Sequence, residues 1–233
     1  MPAYRLRVKE RFGNYNFRDG FDRAKRTIWI HAVSVGEVAA AEPLVRKLRE
    51  RYPEHQFFIT TMTPTGSERV RSSFPQEIFH CYLPYDFPLI MYRFVNQMSP
   101  AVLIIMETEL WPNLINACDK LNVKVVLANA RLSEKSAKGY SLISEITRGM
   151  LSKLNVVAAQ SKTDAQRLIN LGANPKSTVV VGNLKFNVSQ EVPMGPRSAL
   201  FTQIKESGRT VIIAASTRKG EEEKLLKTIK SFF

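Results

Sequence analysis

The stretch IWIHAVSVGEVAAAEPLVRKLRER, residues 28–51, decides the fold. It joins a short apolar run to a longer amphipathic one through the polar turn Ser34-Val35-Gly36-Glu37. The first part reads as a strand buried on both faces, the second as a helix lying over it. The same rhythm recurs downstream. Strands are expected at 28–33, 57–62, 80–83, 101–106, 123–129, 156–160 and 178–182, with helices at about 36–51, 65–73, 88–97, 112–120, 138–153 and 162–171. Near-continuous apolar strands separated by helices predict an α/β fold, a Rossmann-like parallel sheet with helices on both faces. Pro112 in a first helical turn and Gly172 closing AQRLINLG mark helix ends of the usual kind.

In an open parallel sheet, ligands bind at the carboxyl ends of the strands. The residues just after the expected strands are polar here. They include Ser34, Gly36 and Glu37 after the first, Thr63, Thr65, Gly66 and Ser67 after the second, and Glu107 and Glu109 after the fourth. Asn129 and Arg131 follow the fifth, Asn183 and Lys185 the seventh. Pro64-Thr65-Gly66 opens a helix, and its free N–H groups suit a phosphate or carboxylate, with Gly66 letting a ligand approach the backbone. Ordinary N-capping explains the same residues. Without a following Gly-Lys-Ser/Thr it is not a P-loop. Glu107 ends a strongly apolar strand, so its charge needs a partner, for which Lys185 and Arg131 are candidates.

Ser34-x-x-Glu37 fits two tasks. It is a capping box, in which the two side chains satisfy orphan N–H groups of the helix. A glutamate at the mouth of a strand-to-helix turn also suits a general base.

Composition narrows the function classes. The chain has 233 residues, 44% of them hydrophobic, enough for a sizeable core. No run approaches the roughly 18 apolar residues of a membrane-spanning helix, and no export signal opens it. Cys81 and Cys118 lie far apart, as do His31, His55 and His80, which argues against a zinc site and for ordinary thiols in a reducing compartment. The net charge of +13 favours polyanionic partners. Residues 1–26 hold eight basic residues (Arg5, Arg7, Lys9, Arg11, Arg18, Arg23, Lys25, Arg26) against Glu10, Asp19 and Asp22. They read as a basic arm, either solvated or held near a membrane. RNA-binding motifs and a DNA-reading helix are lacking, so no nucleic-acid partner is expected.

Four segments are expected: the arm at 1–26, a Rossmann-like domain at 27–190, a linker at 191–208 and a strand-helix unit at 209–233. A lone strand and helix cannot make a core, so that unit reads as the start of a second α/β domain missing from the chain.

The motifs HAVSVGE (31–37), TTMTPTGSERV (60–70), LPYD (83–86), METELWPN (106–113), NARLS (129–133), GNLKF (182–186) and AASTRKGEEE (214–223), taken in order, resemble the 3-deoxy-D-manno-octulosonic acid (Kdo) transferases. The resemblance implies a GT-B fold, with an acceptor-binding N-terminal half and a donor half represented only by its first unit. It implies transfer of Kdo from CMP-Kdo to the tetraacylated lipid A precursor at the cytoplasmic face of the bacterial inner membrane, without a further cofactor. The alternatives are another GT-B nucleotide-sugar transferase or a non-catalytic acceptor-binding fragment; the 233-residue chain alone is expected to be inactive. The resemblance makes Glu37 the general base, Glu107 an assistant at the transition state and Lys185 a partner in the same site. Ser34, Gly36, Thr63, Thr65, Gly66, Asn129 and Arg131 fall to the acceptor and Ser216 and Thr217 to the donor. Two features depart from the family: Arg218 and Lys219 replace a His and an acidic residue, and the apolar N-terminal anchor is absent.

Overall fold

The computed structural model describes residues 7–17, 20–74, 78–184, 212, 214, 217 and 220–230. The chain divides into two compact units, Met1–Ser189 and Gln190–Phe233. The first is built on seven strands: β1 (Thr27–His31), β2 (Gln56–Thr61), β3 (Phe79–Tyr82), β4 (Val102–Met106), β5 (Lys124–Ala130), β6 (Val156–Ala159) and β7 (Thr178–Val180). They form one parallel sheet in the order β3-β2-β1-β4-β5-β6-β7. The α/β expectation and all seven strand positions hold.

The helices are α1 (Val8–Arg11), α2 (Val35–Arg51), α3 (Pro64–Ser73), α4 (Pro88–Met98), α5 (Pro112–Lys120), α6 (Glu134–Ser141), α7 (Ser144–Leu151) and α8 (Lys162–Leu171). Alternate strand residues feed two apolar layers. On one face Trp29, Phe58, Leu103 and Leu127 pack with Phe94 of α4, Leu114 of α5 and Leu151 of α7. On the other, Ile28, Ile30, Ile59 and Ile104 meet Val38 and Val45 of α2 and Val70 of α3. β1 is buried along its whole length, as its near-continuous apolar sequence requires.

Two expectations need correction. The helix expected at 138–153 is two helices. Leu142 N and Ile143 N bond to Gly139 O (3.2 Å) and Tyr140 O (3.3 Å), tightening the end of α6, and the Thr147 hydroxyl of α7 then takes Tyr140 O at 2.9 Å. The described part of the basic segment is also not a solvated arm. Phe17 and Phe21 are core residues, with Phe17 5.7 Å from Phe58 and 5.6 Å from Phe94. Arg11 is only 4% exposed: it donates to Met62 O (2.8 Å) and lies 4.3 Å over the Tyr82 ring. Arg7 and Glu10 pair at 2.6 Å, and Glu10 Oε2 accepts the N–H of Tyr82 on edge strand β3. Aromatic burial and arginine stacking thus tie the segment to the sheet.

In the second unit a helix, α9 (Glu221–Lys230), falls inside the expected strand-helix unit. The linker at 191–208 lies outside the described residues, as do residues 209–216 of the expected strand-helix unit apart from Ile212 and Ala214.

Candidate active site

The sheet order reverses between β1 and β4. After β1 the chain builds outward through β2 and β3, then returns to lay β4 on the other side of β1. The carboxyl ends of β1 and β4 therefore flank a crevice, the usual ligand position in such sheets. Glu37 lies beside it on one side and Glu107 and Glu109 on the other.

Glu37 sits in the first turn of α2 and is 7% exposed. Ser34 caps the helix, its Oγ accepting from Glu37 N (3.4 Å). The Glu37 carboxylate turns back to accept from Val33 N (2.8 Å, Oε2) and from the Ser34 hydroxyl (2.9 Å, Oε1). The capping-box reading thus holds at this residue. The box differs from the usual pattern because the carboxylate takes the N–H one residue before the cap. Burial pushes the Glu37 carboxyl up to about 7, against the pull of the Val33 N–H and Ser34 hydroxyl and with the charges of Glu109 and Glu107 adding to the rise. A carboxyl there is half ionised near neutrality, the range in which a general base works best.

Glu107 follows β4 in a left-handed conformation (φ 56°), with its N–H on Ala128 O (2.9 Å). Asn129, beside it near the end of β5, is left-handed too (φ 54°) and fully buried. Two adjacent non-glycine residues in this region are strain of the kind that clusters at functional sites. Glu109 is pushed above the usual carboxylate range by burial, with the Trp111 indole pulling it down and Glu107 pushing it up. Tyr140 of α6 is raised by burial and by the Glu109 charge, which places it against this group as well.

The other expected acceptor residues fall into distinct positions. Gly36 is exposed in the first turn of α2. Thr63 caps α3 by accepting from Gly66 N (3.1 Å). Gly66 is buried, and a Cβ there would stand 2.9 Å from Thr63 Oγ1 and 3.4 Å from Val33 O and Ser34 C. Its lack of a side chain lets α3 pack on the β1–α2 turn. Thr65 is exposed. Asn129 Oδ1 accepts from Leu184 N (3.1 Å), anchoring the turn before Lys185, and Gln160 Nε2 donates to Asn129 O (3.0 Å). Arg131 is exposed, and its carbonyl takes the Thr108 hydroxyl, joining the Glu107–Glu109 loop to the next one. Lys185, Ser216, Arg218 and Lys219 lie outside the described residues. In the second unit the Thr217 hydroxyl donates to Glu222 Oε1 (2.7 Å).

Sequence reasoning quoted Glu109 and Asp86 without giving either a task, and it passed over Tyr140. Only the position of Glu109 on the expected rim pointed to it. Cys81 and Cys118 are buried, and burial raises both thiols, Cys118 to about 12, as inert structural thiols require. Among the described residues no helix is long and apolar enough to cross a membrane.

Residues 6–188 match a family model described as 3-deoxy-D-manno-octulosonic-acid transferase (kdotransferase). The chain is 41% identical to the 3-deoxy-D-manno-octulosonic acid transferase of Haemophilus influenzae, over 97% of this chain and 53% of that protein. It is 36% identical to a probable mitochondrial 3-deoxy-D-manno-octulosonic acid transferase of Arabidopsis thaliana, over 95% of this chain and 52% of the relative. The chain thus spans about half the length of these curated relatives. Among solved structures, Anabaena Alr3699/HepE in complex with UDP-glucose is similar with a TM-score of 0.54 at 14% identity, over 78% of this chain and 50% of that one. The UDP-GlcNAc 2-epimerase of Methanocaldococcus jannaschii gives 0.52 at 14% identity, over 80% and 54%. At such identities these two speak for the fold alone.

Proposed function

This chain belongs to the 3-deoxy-D-manno-octulosonic-acid transferase family, and from that premise we propose that it is the acceptor-binding part of an enzyme that moves Kdo from CMP-Kdo to a lipid A precursor. One observation carries the reading: the buried Glu37 carboxyl is raised to about 7 in a crevice it shares with two further glutamates.

The chemistry follows from that position. The acceptor sugar hydroxyl attacks the anomeric carbon of the donor, a new C–O bond forms, and the bond from that carbon to the phosphate oxygen breaks with its electrons leaving on CMP. The hydroxyl proton passes to Glu37, help of about 10²–10⁴-fold for such groups. Each Glu37 oxygen accepts one hydrogen bond, from Val33 N or from the Ser34 hydroxyl, and keeps a second lone pair for the proton. Glu107 stabilises the developing positive charge at the sugar. Lys185, directly after the anchored Leu184, offsets the charge of the donor carboxylate or the departing CMP. The donor itself is held by the domain that follows, to which Ser216 and Thr217 belong.

Work at a membrane surface is part of the proposal. The residues after β3 present Tyr85, Phe87 and Leu89, the last 61% exposed, with Phe12 set 5.5 Å from Tyr85. Exposed aromatics, with the exposed cations Lys9 on α1 and Arg93 on α4, suit an anionic lipid interface. A cleft of about 570 Å³ between α4 and α5 is lined by Leu89, Tyr92, Asn113 and Asn116.

The test is transfer of Kdo from CMP-Kdo to a tetraacylated lipid A precursor by the full-length enzyme, wild type against Glu37→Gln. Loss of transfer in a folded variant supports the reading. Transfer at the wild-type rate removes Glu37 from the chemistry.

A further inference from the structure

The loop that carries Glu107 and Glu109 bridges β4 to Pro112. At its start Glu107 N bonds to Ala128 O and the Thr108 hydroxyl to Arg131 O. At its end α5 begins without a cap of its own, since Trp111 makes no side-chain capping bond and Pro112 has no N–H. The next two N–H groups go instead to Asp86, Asn113 N to Oδ2 at 3.0 Å and Leu114 N to Oδ1 at 2.8 Å. The Asn113 side chain closes the clamp through Nδ2 on Asp86 O (2.6 Å) and Oδ2 (3.3 Å). Helices α2, α3, α6 and α8 are capped by the residue just before them, Ser34, Thr63, Ser133 and Ser161. For α5 the cap comes from a loop 27 residues earlier in the chain. A carboxylate on two backbone N–H groups at a helix N-terminus is held by charge-assisted bonds and by the helix dipole.

From this geometry we infer that Asp86 is a positioning residue for the two-glutamate loop, acting through the N-terminus of α5 to hold Glu107 and Glu109 across the crevice from Glu37. The inference rests on the proposed role of Glu37 as base. It gives a task to the aspartate of LPYD, which the reaction as written does not use. Among the described residues, the charged and titratable groups facing Glu109 are Glu107 on its own loop, Glu37 from α2 and Tyr140 from α6. With the clamp open, the loop drifts, and both the burial that raises these carboxyls and their mutual repulsion fall.

The experiment compares Asp86→Ala and Asp86→Asn in the full-length enzyme with Asn155→Ala. Asn155 accepts Val125 N at 2.8 Å near the opposite edge of the sheet, so its loss strands a backbone N–H away from the site. Two quantities are followed: the acid limb of the kcat/KM profile, and the pH dependence of tryptophan emission, to which Trp111 beside Glu109 responds. In the Asp86 variants kcat is expected to fall about tenfold or more, and both midpoints to move down by about half a unit. Asn155→Ala keeps both at wild-type values. Should Asp86→Ala not fold, Asp86→Asn decides. Midpoints unchanged from wild type in the Asp86 variants overturn the inference. If Glu37→Gln retains transfer, the base reading falls separately, and the emission titration still decides the role of Asp86.

Discussion

Ser34 and Glu37 hold each other from both sides. The Ser34 hydroxyl donates to Glu37 Oε1 at 2.9 Å, and Ser34 Oγ accepts the Glu37 N–H at 3.4 Å. A helix cap and a carboxylate of raised pKa are therefore one assembly, and substitutions there separate stability from ionisation.

Ser34→Ala removes the cap of α2 and one of the two donors on the carboxylate. Stability is expected to drop by about 1 kcal/mol, measurable by urea denaturation. The Ser34 bond favours the ionised form, so its loss raises the Glu37 carboxyl further. The acid limb of kcat/KM should then move to higher pH in the full-length enzyme.

Glu37→Gln tests the linkage directly. The folded-state pKa of about 7 lies above the ordinary carboxyl value of 4.5, so the stability this group contributes is complete below 4.5 and is lost as pH rises through 7. Glutamine does not titrate. The melting temperature of the wild type relative to Glu37→Gln should therefore fall between pH 5 and 8, assuming the variant keeps the fold seen by circular dichroism. A difference that stays flat across that range would mean the carboxyl is not raised.

Gly66→Ala puts a methyl group 2.9 Å from the Thr63 oxygen that caps α3 and 3.4 Å from the Val33 carbonyl. The Thr63 side chain that caps α3 must give way, at a cost of about 1–3 kcal/mol. Thermal unfolding checks the stability, and the Glu37 titration reports whether the turn has moved.

Thr60→Val removes one oxygen that serves two buried side chains. Trp29 Nε1 donates to Thr60 Oγ1 at 2.9 Å, and His31 Nδ1 lies 2.9 Å from the same oxygen. Burial lowers His31 to about 4, so it is neutral and relies on that hydroxyl. Stranding two buried groups costs about 1–3 kcal/mol each. A chemical-denaturation midpoint equal to wild type would show that the pair finds other partners.

Most of the strand and helix positions were readable from local pattern. A strand buried on both faces must be apolar throughout, and a helix covering it must alternate with a period near 3.6 residues, so residues 28–51 announce both. The rim was readable for the same reason, since polar residues at strand ends need no tertiary knowledge. Pattern failed at 138–153, where an apolar stretch of helical period is cut at Leu142 by hydrogen bonds made within the turn and from Thr147. It failed again at residues 7–21, whose charge suggested a free arm while Phe17, Phe21 and Arg11 find partners on strands far along the chain.

By itself, then, the order of residues determined a parallel α/β sheet and the set of polar side chains at its carboxyl edge, because both follow from short-range periodicity. The tertiary structure alone decided which of those side chains share a crevice, that Gly66 is closely packed, and that Asp86 caps a helix it does not precede. Burial and the approach of like charges set the state of Glu37. Those depend on groups brought together across dozens of residues, a distance over which local pattern carries no information.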